Sequence, residues 1–191
     1  MPWARLAPHP LLVMWLDSMG SPGGRPGHAA GHEALVVGCG LGDDAEELAR
    51  RGYAVTAFDV SPTAIARCQE RFPRSPVLYR VADVLNPPGE WQGRFGLVVE
   101  VNTIQSLPRA DRPAAITAIA GTVARDGLLF VRCQVGGEDE PDGPQRPWPV
   151  RRSELGGFTA AGLTQVHLID HAPVPAAFPF LRVIYQRSSP R

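Results

Sequence analysis

The feature that most constrains the fold is an alternation of short apolar segments with helical segments of about ten residues. The apolar segments ALVVG, LVVEV and LLFVR lack polar alternation, which is typical of strands covered on both faces. Helices between such strands make right-handed crossovers and leave neighbouring strands parallel. The last two strands are joined without a helix and can pair antiparallel. We therefore predict an α/β fold, a doubly wound, mostly parallel seven-stranded sheet with a C-terminal antiparallel hairpin.

Glycine, proline, aspartate and serine set the expected bounds of these elements. The predicted strands are 34–38, 53–58, 77–80, 97–101, 128–133, 164–170 and 180–187. The predicted helices are 9–17, 43–51, 61–72, 111–124 and 152–158. The 191 residues suit one main domain. We expect an N-terminal helical cap segment at 1–17, a flexible Gly/Pro/Ser-rich linker at 18–31 and the main domain at 32–191.

Composition excludes several function classes. All 19 basic residues are arginine, so a Schiff-base lysine and the lysine of a Walker phosphate loop are absent. Net charge is zero, which predicts neither a nucleic-acid nor a membrane partner. The three cysteines form no C-x-x-C pair, and the histidines have no metal-ligand spacing, so we expect no metal site. No segment resembles a signal peptide or a membrane span, so we expect a cytoplasmic location.

The strongest motif is the turn GCGLGDD after the first strand. Its glycines at 38, 40 and 42 allow unusual backbone angles and close approach of a ligand. The second motif is FDVS, which places Asp59 at the end of the second strand. A carboxylate there can accept hydrogen bonds from both hydroxyls of a ribose. The third is VADV, where Asp83 beside Val84 could bind the amino group of an adenine.

Charge next to the turn distinguishes two nucleotide classes. A dinucleotide motif would have glycine at position 43, where this chain has Asp43 followed by Asp44. Two acids at a helix N-terminus repel a pyrophosphate. They suit a ligand with an ammonium group and a sulfonium and without phosphate. S-adenosylmethionine is such a ligand, and we prefer it to a nicotinamide dinucleotide.

Together with FGLVVE and DGLLFV, these motifs resemble the class I S-adenosylmethionine-dependent methyltransferases, which have a Rossmann-like fold. The resemblance covers about residues 33–187, including the terminal hairpin. GCGLGDDAEELA is most similar to the branch of thiopurine, thiol and halide methyltransferases, where an acid follows the turn as Asp44 does here. The chain departs from the family at Gly96, where an aspartate is usual, and we expect only a small cost in stability.

The resemblance implies that the cofactor contacts residues following the first four strands. The methionine and ribose portions would lie against Gly38, Cys39, Gly40, Gly42 and Asp44, and Asp59 would hold the ribose hydroxyls, with Ser61 beside it. Val60 would stack on the adenine, and Asp83 with Val84 would hold its edge. Glu100 would lie near the sulfonium and the acceptor, and is the candidate catalytic residue.

We expect the acceptor above the ends of the fourth and fifth strands. The candidate substrate-binding residues are Trp3, Trp15, Asn102, Gln105 and Trp148. No Asp/Asn-Pro-Pro-aromatic signature follows the fourth strand, and the short chain leaves no room for a large recognition domain, so the acceptor is expected to be a small molecule with a sulfur, oxygen or nitrogen nucleophile. Two alternatives stay open: a catalytically silent S-adenosylmethionine-binding protein and a nicotinamide-dependent oxidoreductase. Neither the acceptor nor the oligomeric state follows from the sequence.

Overall fold

A computed structural model describes residues 6–19, 32–139, 147–171 and 179–188. The five α-helices in these ranges are α1 (Pro10–Met19), α2 (Asp43–Arg50), α3 (Pro62–Arg71), α4 (Arg112–Thr122) and α5 (Arg152–Ala160). The seven strands are β1 (Glu33–Val37), β2 (Ala54–Asp59), β3 (Leu78–Val81), β4 (Phe95–Val101), β5 (Val123–Gln134), β6 (Thr164–His171) and β7 (Phe180–Gln186). No helix in the described ranges has the length and apolar character needed to cross a membrane.

The seven strands form one sheet in the order β3-β2-β1-β4-β5-β7-β6. The first five pair in parallel, and β7 pairs antiparallel with both β5 and β6. This arrangement confirms the predicted fold class, including the terminal antiparallel hairpin. The order turns back at β1, with β2 on one side and β4 on the other, and such a switch point opens a crevice at the carboxyl ends of the strands.

Alternate residues along the strands build two cores, one on each face of the sheet. Leu35 and Val37 of β1 pack with α4 and α5, whereas Ala34 and Val36 pack with α1 and α2. Burial on both faces explains why the strand segments are continuously apolar. Ser61 caps α3, because its side-chain oxygen accepts a hydrogen bond from the backbone N–H of Ala64 at 3.2 Å, and proline follows at the first helical position.

Most predicted bounds differ from the observed ones by one or two residues, and in two places the difference changes the element to which a residue belongs. α1 continues to Met19, two residues into the predicted linker, since Met19 packs against the core and the Ser18 hydroxyl donates to the Trp15 carbonyl. The rest of the linker, 20–31, lies outside the described residues. Helix α4 ends at Thr122 rather than at 124, and β5 starts at Val123 with an irregular pairing to β4.

Candidate cofactor and acceptor site

The carboxyl ends of β3, β2, β1 and β4 lie side by side in that order. They are followed by the predicted site residues, so the fold brings the glycine turn, Asp59 and Asp83 into one row at the edge of the sheet. Backbone hydrogen bonds join the row: Cys39 N donates to the Phe58 carbonyl at 2.8 Å, and Ala82 N donates to the Asp59 carbonyl at 3.1 Å. Motifs separated by some twenty residues in sequence therefore share one surface.

The glycine turn has positive φ at three positions, Gly38 (59°), Gly40 (55°) and Gly42 (89°). This is the left-handed region that favours glycine. A side chain at Gly38 would also overlap Thr103, and one at Gly42 would lie 2.6 Å from the Tyr79 hydroxyl. Both the backbone and the surroundings thus require glycine at these two ends of the turn.

Asp59 connects the turn to the start of α3. Its Oδ2 accepts a hydrogen bond from Gly40 N at 3.0 Å, and its Oδ1 accepts one from Ser61 N at 2.9 Å. A carboxylate offers about four acceptor positions, so two remain for a ligand. The adjacent Val60 is 69% exposed, which gives the site an apolar surface beside an acceptor, as a nucleoside requires.

Asp83 and Val84 lie at the end of the row. Asp83 is exposed, and its Oδ1 accepts a hydrogen bond from Leu85 N at 2.9 Å, so Asp83 is a turn residue. This hydrogen bond does not use its other carboxylate oxygen, Oδ2. Val84 is 8% exposed and packs in the core beneath the row. Its side chain supports the surface, and only its backbone is available at the edge.

The two acids after the turn do not present two charges to a ligand. Asp43 forms a bidentate ion pair with Arg71, at 2.8 and 2.9 Å, and Arg71 also donates to the Leu41 carbonyl. Asp44 accepts a hydrogen bond from His9 N at 2.6 Å, and burial raises its pKa to about 6. The prediction that Asp43 presents its charge to a ligand is therefore wrong, because Arg71 neutralises that charge. The His9 contact places the start of α1 beside the turn.

Glu100 is fully buried near the end of β4. Its Oε1 accepts hydrogen bonds from Thr103 N at 2.5 Å and Ile104 N at 3.0 Å, while Oε2 is buried without a hydrogen-bond partner. Burial raises the pKa of Glu100 to about 7, although the two amides and the nearby Arg132 oppose the rise. Because the carboxylate is enclosed, it holds the following loop in this conformation, and its contact with a sulfonium or an acceptor stays a prediction.

The loop after β4 contacts the glycine turn directly. The Thr103 hydroxyl donates to the Val37 carbonyl at 2.9 Å and lies against Gly38. Asn102 has a positive φ of 65°, and its side-chain oxygen accepts a hydrogen bond from Arg132. The loop after β4 therefore forms part of both the predicted cofactor surface and the predicted acceptor surface.

Three of the predicted acceptor residues lie together. Gln105 is 4% exposed, its side-chain oxygen accepts from Gln134 N at 2.7 Å, and its carbonyl accepts from Trp148 N at 2.8 Å. Trp148 is half-buried. Asn102 lies three residues before Gln105, so this group borders the ends of β4 and β5.

The structure places Trp15 elsewhere. It is 6% exposed in the core on the other face of the sheet, with its ring centroid 5.2 Å from that of Phe130. Packing of α1 on the sheet accounts for this indole, and it does not border the acceptor group. Trp3 lies outside the described residues.

Sequence reasoning missed the residue that ties the acceptor loops together. Arg112 is fully buried and donates to the carbonyls of Leu107, Pro149 and Trp148, at 3.2, 3.3 and 2.8 Å. It also pairs with the carboxylate of Glu154 at 3.0 Å. No local pattern marks this arginine, because Glu154 follows 42 residues later.

The fold and the row of site residues define a Rossmann-like α/β protein with a glycine turn and exposed acceptor groups at the switch point. A family model described as a methyltransferase domain matches residues 34–127. This match agrees with the resemblance to the class I S-adenosylmethionine-dependent methyltransferases that the motifs predicted, and it covers the segment that carries the glycine turn, Asp59 and Glu100. The narrower resemblance to the thiopurine, thiol and halide branch stays a prediction.

Curated relatives agree with the methyltransferase match over part of their length. Ubiquinone biosynthesis O-methyltransferase from Azotobacter vinelandii is 32% identical over 123 residues, which are 62% of this chain and 48% of that protein. The chain spans about half the length of the curated relatives it matches.

Two solved structures share the fold at low sequence identity. N-methyltransferase NodS from Bradyrhizobium japonicum, in complex with S-adenosyl-L-homocysteine, has a TM-score of 0.73 at 21% identity. The superposition covers 97% of this chain and 91% of NodS. The second structure is 1,6-didemethyltoxoflavin-N1-methyltransferase from Burkholderia thailandensis, with bound 1,6-didemethyltoxoflavin and S-adenosylhomocysteine. Its TM-score is 0.72 at 18% identity, and the superposition covers 95% of this chain and 78% of that protein.

Proposed function

We propose that the protein transfers a methyl group from S-adenosylmethionine to a small-molecule acceptor. The observation that carries the proposal is the row formed by the positive-φ glycine turn, the Asp59 carboxylate and the exposed Val60, within the methyltransferase domain. The relatives and solved structures named above are O- and N-methyltransferases, which supports a small acceptor. The acceptor atom, the absence of a nucleic-acid partner and a cytoplasmic location stay predictions.

The residues present fit the cofactor. The free acceptor positions of Asp59 would take the ribose hydroxyls, Val60 would lie against the adenine, and Asp83 with the backbone at Val84 would face its edge. The turn at Gly38, Cys39, Gly40 and Gly42 would face the methionine portion, with Asp44 behind it and Ser61 holding Asp59. When bound, the cofactor supplies a methyl group on a sulfonium that becomes a neutral leaving group.

The protein's share of the reaction is alignment and exclusion of water, because the leaving group is already good. We assign Glu100 a positioning role: it holds the amides of Thr103 and Ile104 and so fixes the loop between the two surfaces. Asn102, Gln105 and Trp148 would line the acceptor side. A base is needed only where the acceptor must lose a proton, and a thiol or an acidic phenol can supply its own anion.

Calorimetric titration with S-adenosylhomocysteine tests the cofactor site. Asp59→Ala removes hydrogen bonds to a charged acceptor and should weaken binding by about 1.5–3 kcal/mol, or about 10- to 150-fold. Asp111→Ala is the matched control, because Asp111 precedes α4 and makes no capping hydrogen bond with its side chain. Equal affinities in both variants would remove Asp59 from the site.

A methyl-release assay over thiols, phenols and amines tests the activity. Turnover of any class supports the proposal. Tight binding of S-adenosylhomocysteine without turnover of any acceptor would instead favour a silent binding protein. Binding of NADH or NADPH in place of S-adenosylhomocysteine would favour the oxidoreductase.

A further inference from the structure

Two cysteine thiols meet beneath the glycine turn. Cys39 lies within the turn and is half-buried, while Cys68 lies on α3 and is fully buried. The two side chains are hydrogen-bonded to each other. Cys68 Sγ also donates to the Gly40 carbonyl at 3.3 Å. The sulfurs thus face each other across the contact between the turn and α3, although 29 positions separate them in sequence.

The pair is electrostatically unequal. The hydrogen bond to Cys68 raises the pKa of Cys39, and the same bond lowers the pKa of Cys68, as does the Arg71 guanidinium. The first proton lost from the pair therefore leaves one thiolate that shares the remaining proton with the other sulfur. A thiolate is the form that reacts with oxidants and disulfides. Oxidant reaches the pair at Cys39, which is the less buried of the two.

We propose that Cys39 and Cys68 form a reversible disulfide that switches the cofactor turn between a binding and a non-binding form. The effect on the cofactor rests on the function proposed above, whereas formation of the bond does not. A peroxide is the oxidant: the thiolate of the pair attacks it to give a sulfenic acid and releases hydroxide, which takes up the proton first lost from the pair. The remaining thiol then attacks that sulfur, and its proton leaves with the sulfenic hydroxyl as water. The two sulfurs lose two electrons, hydrogen peroxide becomes two water molecules, and a thiol reductant reverses the step.

The disulfide changes the turn because of its geometry. A sulfur–sulfur bond of about 2.05 Å is much shorter than a hydrogen bond between thiols, so residue 39 must move toward α3. Cys68 then no longer donates to the Gly40 carbonyl, while Gly40 N is still bonded to Asp59. The backbone that would face the methionine portion is displaced. Bound cofactor would hold the turn in place, so it should also slow oxidation by thermodynamic linkage.

Formation of the bond is tested first, without cofactor. The reduced protein is treated with hydrogen peroxide, unfolded and alkylated, and the modified residues are mapped by mass spectrometry. We expect the number of alkylated thiols to fall from three to one, with Cys133, which is fully buried, as the remaining thiol. A peptide linking Cys39 to Cys68 should appear and should disappear after reduction. Cys68→Ala, a small change at a buried position, should give no internal link. Sulfenic or sulfinic acid at Cys39 without a link, or no oxidation, would overturn the proposal.

The switch is tested by titrating S-adenosylhomocysteine into reduced, oxidised and re-reduced protein. We expect at least a tenfold loss of affinity on oxidation, recovery after reduction, and no disulfide-dependent loss in Cys68→Ala. Equal affinity of the reduced and fully linked forms would overturn the switch. If the reduced protein itself does not bind S-adenosylhomocysteine, the cofactor proposal fails, and the mapped link still decides whether the disulfide forms.

Discussion

The buried carboxyl of Glu100 gives a quantitative prediction for stability against pH. Burial raises its pKa from 4.5 to about 7. Between these two values the folded protein binds more protons than the unfolded chain, so the free energy of unfolding falls as pH rises. At about 1.4 kcal/mol per pKa unit, the group lowers stability by about 3 kcal/mol once pH exceeds 7. The loss is complete above the folded pKa and absent below pH 4.5.

Glu100→Gln isolates this contribution. The glutamine oxygen can still accept from the amides of Thr103 and Ile104, and the amide nitrogen replaces the buried Oε2 that has no partner. The variant should match the native protein below pH 5 and exceed its stability above pH 8 by about 3 kcal/mol. Other groups that face this carboxyl, Arg132 and Cys133 on β5, are present in both proteins, so their titration cancels in the difference.

Urea unfolding followed by circular dichroism, at intervals from about pH 4 to about pH 9, measures the difference. Glu70→Gln is the control, since Glu70 is exposed on α3. Its difference from the native protein should be flat with pH. A flat difference for Glu100→Gln as well would refute the reasoning, because it would mean that the carboxyl is hydrated or paired in solution.

Three further substitutions separate structural from functional roles. Gly38→Ala places a side chain at φ 59° against Thr103, so it should cost at least about 2 kcal/mol of stability and weaken S-adenosylhomocysteine binding. The control Gly89→Ala, whose new side chain meets no atom within 4 Å, should change neither property. Thermal unfolding measures the stability of both variants, and calorimetry measures their binding. Arg112→Gln removes a buried guanidinium that donates to three carbonyls and is the nearer of two counter-ions of Glu154, and it should cost about 3–5 kcal/mol in urea unfolding. Trp15→Ala should cost about 3–5 kcal/mol in the same assay and leave the affinity for S-adenosylhomocysteine unchanged, and a weakened affinity would contradict its placement in the core.

The fold class and the succession of helices and strands could be predicted from sequence because the central strands β1 and β4 and the second half of β5 are apolar runs between turn residues. The bounds failed where long-range contacts decide them. Met19 continues a helix because a core lies beneath it, and Val123 belongs to a strand because β4 pairs with it. Neither partner is visible within the local sequence window.

The site was predictable to the extent that it consists of backbone turns and strand ends. Gly38 and Asp59 are placed by the ends of neighbouring strands, and any parallel sheet in this order brings them together. Side-chain pairing was not predictable. The partner of Asp43, Arg71, lies 28 residues away in sequence, and the partners of Glu100 depend on how a loop folds back on its strand.

The Thr103 hydroxyl, bonded to the Val37 carbonyl and in contact with Gly38, has a consequence for any attempt to redesign the protein. Replacing the segment after β4 with that of a methyltransferase would also replace Thr103, which supports the glycine turn on the predicted cofactor surface. Such chimeras should keep a small hydroxyl residue at position 103, and those that place a bulkier one there should lose affinity for the donor before their choice of acceptor changes.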